Sequence, residues 1–233
     1  MAEGGPPVRL LTWNVHGLRG DRQAMARVLR SARPDVVCLQ EAAPRFRPTP
    51  RLAGLARASG LLYVAGGAAS AGTALLCSDR TAVDRTRAFR LPVRGWRAPR
   101  RGAVVAVAAV AGESRVAVAC VHLPLDAAAR LDHARRVRDL VTPIGLPAVI
   151  AGDFNEAPGG PCWLAFAPLA LDPWPDAART FPARGPRHRI DAVLVGEALR
   201  ARPDPGWRMD VDDVMRASDH LPVLAVLEPA APA

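Results

Sequence analysis

LPAVIAGDFN, residues 146–155, is an apolar run of strand length that ends in Asp153 and Asn155. An apolar run of this size bounded by turn residues reads as a buried strand, here delivering two polar side chains at its C-terminal end. Upstream, Asp126 to Val141 is predicted helical, with Asp126 as cap and Leu131, Ala134, Arg138 and Val141 at helical spacing. Before it, RVAVACVHL (115–123) reads as a strand that ends at His122. Strand, helix and strand make a βαβ unit with polar residues at both strand ends.

The same pattern opens the chain with little sequence similarity. VRLLTWN (8–14) is a strand ending at Asn14, and Asp21 to Ala32 is a helix with Met25, Val28, Leu29 and Ala32 on one face. Pro34 stops that helix, and DVVCLQE (35–41) is a buried strand ending at Gln40 and Glu41. The strand ends lie 27 residues apart in this unit and 31 in the later one. Two such units predict two sheets related by a pseudo-twofold, with all strand ends on one rim.

Between the units, residues 61–65, 73–77, 82–89 and 103–110 read as a meander of short strands, interrupted by the loop RLPVRGWRAPRRG (90–102). After Asn155 a Pro-rich stretch leads to three further predicted strands, RIDAVLV (189–195), WRMDVDDV (207–214) and LPVLAVL (221–227). Around the last group the polar residues Asp191, Asp219 and His220 sit at N-terminal ends, so strands running antiparallel to the βαβ strands bring them to the same rim. Ligands of α/β sheets bind at such rims. The expected organisation is an α/β chain of one domain over 8–228, two packed mixed sheets with helices outside, between tails at 1–7 and 229–233.

Composition constrains the function less than it first suggests. The chain has 233 residues, 50% hydrophobic and 23% charged, which excludes disordered and collagen-like classes. Its 31 basic residues against 22 acidic ones give a formal charge of +9, yet every basic residue is arginine. Together with abundant Ala and Pro, that usage looks like coding bias, so a polyanionic partner is suggested and not required. Against such a bias the only two asparagines, Asn14 and Asn155, mark positions where an amide is needed. Cys38, Cys77, Cys120 and Cys162 show no CxxC spacing and read as small buried hydrophobes of a reducing compartment. The N-terminus has no signal-peptide pattern and no apolar run is long enough to span a membrane, so a cytoplasmic monomer without a membrane span is expected.

The rim residues Asn14, Glu41, His122, Asp153, Asn155, Asp191, Asp219 and His220 offer oxygens and two imidazoles, with no thiolate and no HExxH. Such a donor set suits Mg²⁺ or Mn²⁺ better than Zn²⁺ and points to phosphate ester chemistry.

In order along the chain, LLTWNVHGL (10–18), VVCLQE (36–41), VHLP (121–124), GDFNEAP (152–158), RIDAVLV and SDHLPV (218–223) resemble the endonuclease/exonuclease/phosphatase superfamily, whose fold is deoxyribonuclease I-like. The resemblance implies a four-layered α/β sandwich and a Mg²⁺-dependent hydrolase in which Mn²⁺ can substitute. It implies Glu41 as main metal ligand, Asn14 as a ligand directly or through water, and Asp219 as a further metal-site carboxylate. Asp153 and Asn155 would position water and phosphate, His220 would pair with Asp191, and His122 would contact the phosphate or protonate the leaving oxygen. Whether Asp153 or His220 takes the proton from water stays open. His122 stands where the abasic-site endonuclease and exonuclease III branch looks to have tyrosine, which makes abasic-site repair the less expected activity.

The remaining candidates carry weaker signals. His16 borders Asn14 and reads equally well as structural. His133 is expected on a solvated, arginine-rich helix face. Arg187, His188 and Arg189 precede Asp191, and Arg187 and Arg189 could reach a substrate phosphate. The 90–102 loop pairs Trp96 with arginines, a combination found at phosphate and base contacts, but loops collect arginine in such a chain. Three functions follow in order: a hydrolase of nucleic-acid phosphodiesters, a hydrolase of lipid, inositol or other small phosphoesters, and a non-catalytic nucleic-acid-binding scaffold.

Overall fold

A computed structural model describes residues 6–42, 48–92, 99–110 and 114–230. Strands β1 (Val8–Asn14), β2 (Val36–Gln40), β3 (Leu62–Gly66), β4 (Ala74–Cys77), β10 (Leu199–Arg202) and β11 (Val223–Pro229) form one sheet, ordered β10-β11-β1-β2-β4-β3. Strands β5 (Thr81–Arg90), β6 (Gly102–Val110), β7 (Ser114–His122), β8 (Ala148–Asp153) and β9 (Asp191–Val195) form the other in sequential order. Both sheets are mixed. β1 and β2 pair in parallel around helix α1 (Arg22–Ala32), as do β7 and β8 around α3 (Ala127–Val141). The two βαβ units expected from strand ends are therefore present, one in each sheet.

Three apolar clusters hold four layers together. Leu10, Cys38, Val104, Val118, Val149 and Ala225 belong to the layer between the sheets. Leu29 of α1, Leu52 of α2 (Pro48–Ala58) and Val214 of α5 (Val211–Ala217) pack on the outer face of the six-stranded sheet. Val137 of α3 and Phe166 of α4 (Pro161–Phe166) do the same on the five-stranded sheet. Each sheet is thus covered on both faces, which is why β6 is apolar throughout, β2 and β8 are apolar up to the Gln40 and Asp153 that end them, and all three are buried along their whole length. All four cysteines are free and buried.

Helix starts follow the side chains that cap them. Asp21 accepts hydrogen bonds from Gln23 and Ala24 N, and Asp126 from Ala129 N. The same chemistry corrects the expected strand at 207–214. Trp207, Met209 and Val211 alternate like a strand, but Asp210 caps the Asp213 N–H and Asp212 and Asp213 occupy the first turn of α5. β10, α2 and α4 were not anticipated.

His133 is a second correction. It is 2% exposed, and its Nε2 lies 2.7 Å from the Pro92 carbonyl. Burial pushes its pKa below the ordinary histidine range, so the folded state keeps it neutral. The unfolded chain then binds more protons in acid, and this contribution to stability is present above about pH 6.5 and is lost as pH falls below it. Thermal melts at pH 7.5 and 5.0 should show a smaller drop in Tm for His133→Gln than for the wild type; equal drops would contradict this assignment.

Gly152 is fixed by close approach. A Cβ there would stand 2.0 Å from the Val121 carbonyl oxygen on the neighbouring strand. Gly152→Ala is expected to destabilise the fold by roughly 3 kcal/mol, checked by urea unfolding, and to displace Asp153 beside it.

Candidate active site

Strand direction assembles the site. Asn14 and Glu41 leave the C-terminal ends of β1 and β2, and His122 and Asp153 those of β7 and β8. Asp191 opens β9, which runs antiparallel to β8, and pairs in register with Asp153. His220 lies just before β11, which runs antiparallel to β1. Six residues from two sheets meet on one rim, as the strand-end pattern predicted.

Asp153 is the hub. It is 1% exposed, and its Oδ2 accepts a 3.0 Å hydrogen bond from Asn14 Nδ2. The same oxygen lies 3.5 Å from His122 Nε2 and 4.0 Å from His220 Nε2. Its Oδ1 accepts from the Asn155 backbone N–H at 2.9 Å. Asn155 has φ +50° and donates its amide N–H to the Leu123 carbonyl at 2.8 Å, clamping the exit of β8 to that of β7. Burial first, then the neighbouring Asp191 charge, raises the Asp153 pKa to about 7.

Asp191 and His220 form the expected pair. His220 Nδ1 lies 2.9 Å from Asp191 Oδ2, which also accepts a 2.6 Å hydrogen bond from Thr180 Oγ1. Burial works against the charged imidazole, but the Asp191 hydrogen bond and charge, with Asp153 and Asp219, carry its pKa up to about 9. His220 is held from behind: Trp13 Nε1 donates to its carbonyl at 2.8 Å, Ser218 Oγ accepts from its backbone N–H, and the Phe181 ring lies 4.6 Å away. His122 is pushed the other way, well below the usual imidazole range, by burial and by the charges of Arg101 and His220. It is the neutral imidazole of the two.

Glu41 is the carboxylate with the least engaged oxygens. It adopts φ +54°, a left-handed conformation that costs a residue with a Cβ about 1–2 kcal/mol. Asn14 Nδ2 reaches its Oε1 at 3.4 Å. Asn14 gives its amide oxygen to the His16 backbone N–H, so in this arrangement it orients Glu41 and Asp153 and does not present oxygen to a cation. Asp219 is likewise engaged, its Oδ1 lying 2.7 Å from His16 Nδ1. His16 therefore borders the site through two contacts.

The donor set fits a hard cation. Carboxylate and imidazole atoms of Asp153, Asp191 and His220 lie within 4.8 Å of one another, Glu41 accepts a hydrogen bond from the Asn14 amide that also reaches Asp153, and among the described residues Asp191 Oδ1 is buried without a partner. Glu41, Asp153 and Asp191 gather three carboxylates around the single imidazolium of His220, and a divalent cation would offset the negative charge that remains.

Of the arginines expected near substrate, Arg187 is exposed. Arg189 is a correction: it makes a two-pronged pair with Asp172 at 2.7 and 2.8 Å, is buried, and lies over the Trp163 ring, so its guanidinium is already used. Trp96 lies outside the described residues. From the same loop, Arg101 was missed as an individual. Among the described residues its Nε is buried without a partner, and its charge acts on Glu41, Asp153 and His122. Thr180, Phe181 and Ser218 were also missed. Position beside a strand end was the available signal for Arg101 and Ser218; Thr180 and Phe181 had none.

A model of the Endonuclease/Exonuclease/phosphatase family matches residues 11–220. The chain belongs to this family. Members of the endonuclease/exonuclease/phosphatase family are metal-dependent phosphoester hydrolases, and the chain is an enzyme of that class. Solved structures share the fold. A family member from Bacteroides vulgatus is 20% identical, covers 97% of this chain and 100% of its own, and superposes with a TM-score of 0.75. A mannosyl-6-phosphatase from Bacteroides thetaiotaomicron is 17% identical, with 94% and 99% covered and a TM-score of 0.73. The human Nocturnin catalytic domain is 17% identical, with 98% and 97% covered and a TM-score of 0.65. No curated protein matches the chain in sequence. Among the described residues no helix is long and apolar enough to cross a membrane.

Proposed function

We propose that this family member hydrolyses phosphodiesters, nucleic-acid strands foremost, with Mg²⁺ as its cofactor and Mn²⁺ able to replace it. The carrying observation is the surroundings of Asp153 Oδ2, which faces Asn14, His122 and His220 at 3.0, 3.5 and 4.0 Å. A carboxylate held this way takes a proton from an attacking water, and its raised pKa suits that task near neutral pH.

His220 carries its proton at neutral pH and donates a hydrogen bond from Nε2 to a phosphoryl oxygen, while Asp191 fixes the ring through Nδ1. Neutral His122 orients Asp153 or the phosphate by hydrogen bonding and has no spare proton for the leaving oxygen. Asn155 shapes the exit of β8, and Arg101, whose Nε has no partner among the described residues, meets a non-bridging oxygen. Glu41, oriented by the Asn14 amide, would hold a divalent cation with help from Asp219, and that cation would supply Lewis-acid neutralisation of developing charge.

Purified protein with bis-p-nitrophenyl phosphate and with single-stranded oligonucleotides, in Mg²⁺, Mn²⁺ and EDTA, tests the reading. Cleavage of both, abolished by EDTA, is expected; cleavage of neither in any metal would refute it. A second reading, a phosphatase of small sugar or inositol phosphates, has the similarly sized fold of the mannosyl-6-phosphatase in its favour. Turnover of sugar phosphates with none of oligonucleotides would select it.

A further inference from the structure

A pocket of about 380 Å³ opens beside the catalytic rim. His16, Arg19 and Gly20 line it from the loop after β1, Arg184 from the segment before β9, and Arg216 and Asp219 from the end of α5. Arg19, Arg184 and Arg216 are exposed and have no ion pair or guanidinium hydrogen bond among the described residues. The one carboxylate on this wall, Asp219, is taken up by His16. Three arginines whose guanidinium groups have no partner among the described residues thus line a space that shares His16 and Asp219 with the candidate site.

The backbone under these arginines is tied to that centre. Ala183 N donates to the Asp219 carbonyl at 2.6 Å, placing Arg184 one residue from an anchor. Asp21 N donates to the Arg216 carbonyl at 3.0 Å, and a Cβ on Gly20 would stand 2.2 Å from the Ala217 carbonyl oxygen, so the loop after β1 is pressed onto the end of α5. Ser218 Oγ donates to the Asn14 carbonyl at 2.6 Å, which links the same floor to β1. Anchored arginines beside an open volume bind a phosphate by charge-assisted, two-pronged hydrogen bonds.

We infer that this pocket is a second-phosphate subsite: the substrate carries, besides the ester that is cleaved, another phosphate that Arg19, Arg184 and Arg216 hold. This rests on the proposed phosphodiester hydrolysis and narrows its substrate class to molecules with at least two phosphates. The second phosphate is either a terminal one on a small molecule or the next one along a strand, and its recognition is the same.

Binding without turnover provides the first test. In EDTA, calorimetry should find thymidine 3′,5′-bisphosphate bound about tenfold or more tighter than thymidine 5′-monophosphate, the scale of one or two charge-assisted hydrogen bonds. That ratio should fall toward one in Arg184→Ala and in Arg216→Ala, both exposed positions whose folding circular dichroism verifies. Equal affinities in the wild type, or an unchanged ratio in both variants, would overturn the subsite. With Mg²⁺, a gain in kcat/KM on adding a terminal phosphate to thymidylyl-thymidine identifies a terminal source, and a gain only on adding a third nucleotide identifies a strand. Turnover of bis-p-nitrophenyl phosphate with neither gain removes the subsite and leaves the proposed function standing. No turnover of any diester, with the bisphosphate preference intact, removes that function and leaves the subsite.

Discussion

Asp153→Asn is expected to lower kcat on a phosphodiester by about 10²–10⁴-fold, the scale on which general-base catalysis contributes. The asparagine keeps the size of the side chain but has no oxygen basic enough to take a proton from water. A second signature separates this from loss of fold. The pKa of Asp153 is raised from 3.8 to about 7, so the folded state holds this proton more tightly than the unfolded chain does. Wild-type stability in EDTA should therefore fall as pH rises from about 4 to 7, and Asp153→Asn should lack that share of the fall. Steady-state kinetics with melts at pH 5 and 8 measure both; an asparagine variant with wild-type kcat would remove Asp153 from the base role.

Glu41→Ala should weaken Mn²⁺ binding by about 100-fold or more, beyond what loss of an outer partner of a metal ligand costs. Calorimetric titration reads this directly, and activity at limiting metal should be lost with it. Unaltered affinity would transfer the metal to the cluster of Asp153, Asp191 and His220. Because φ at position 41 is +54°, Glu41→Gly should be about 1 kcal/mol more stable than Glu41→Ala, although both have lost the carboxylate. The residue proposed to hold the metal is thus itself held in a conformation its own backbone disfavours.

Much of this was legible because strand ends are legible. Runs such as LPAVIAGDFN bury every side chain until the first polar one, and in parallel βαβ units those residues fall on one rim. Asn14, Glu41, His122 and Asp153 could be placed from that alone. Antiparallel return strands then supplied Asp191 and His220. What stayed hidden depended on contacts between distant segments. Thr180 is a loop threonine until Asp191 is seen 2.6 Å away, and His133 looks solvated until the Pro92 carbonyl is found beside it. The 207–214 segment was misread because period-two alternation is weaker evidence than an aspartate followed by two more in a first turn. Arg189 shows the limit of charge as a signal, since Asp172, 17 residues earlier, had already claimed it.

The two sheets divide the candidate site residues between them: Asn14, Glu41 and His220 stand at one, and His122, Asp153 and Asp191 at the other. The distances between these groups are set by the thickness of the apolar layer between the sheets, where Cys38, Val104, Val149 and Ala225 meet. That layer acts as the spacer of the enzyme. A methyl group added or removed deep within it would retune the gap across which, on the proposed mechanism, a proton passes.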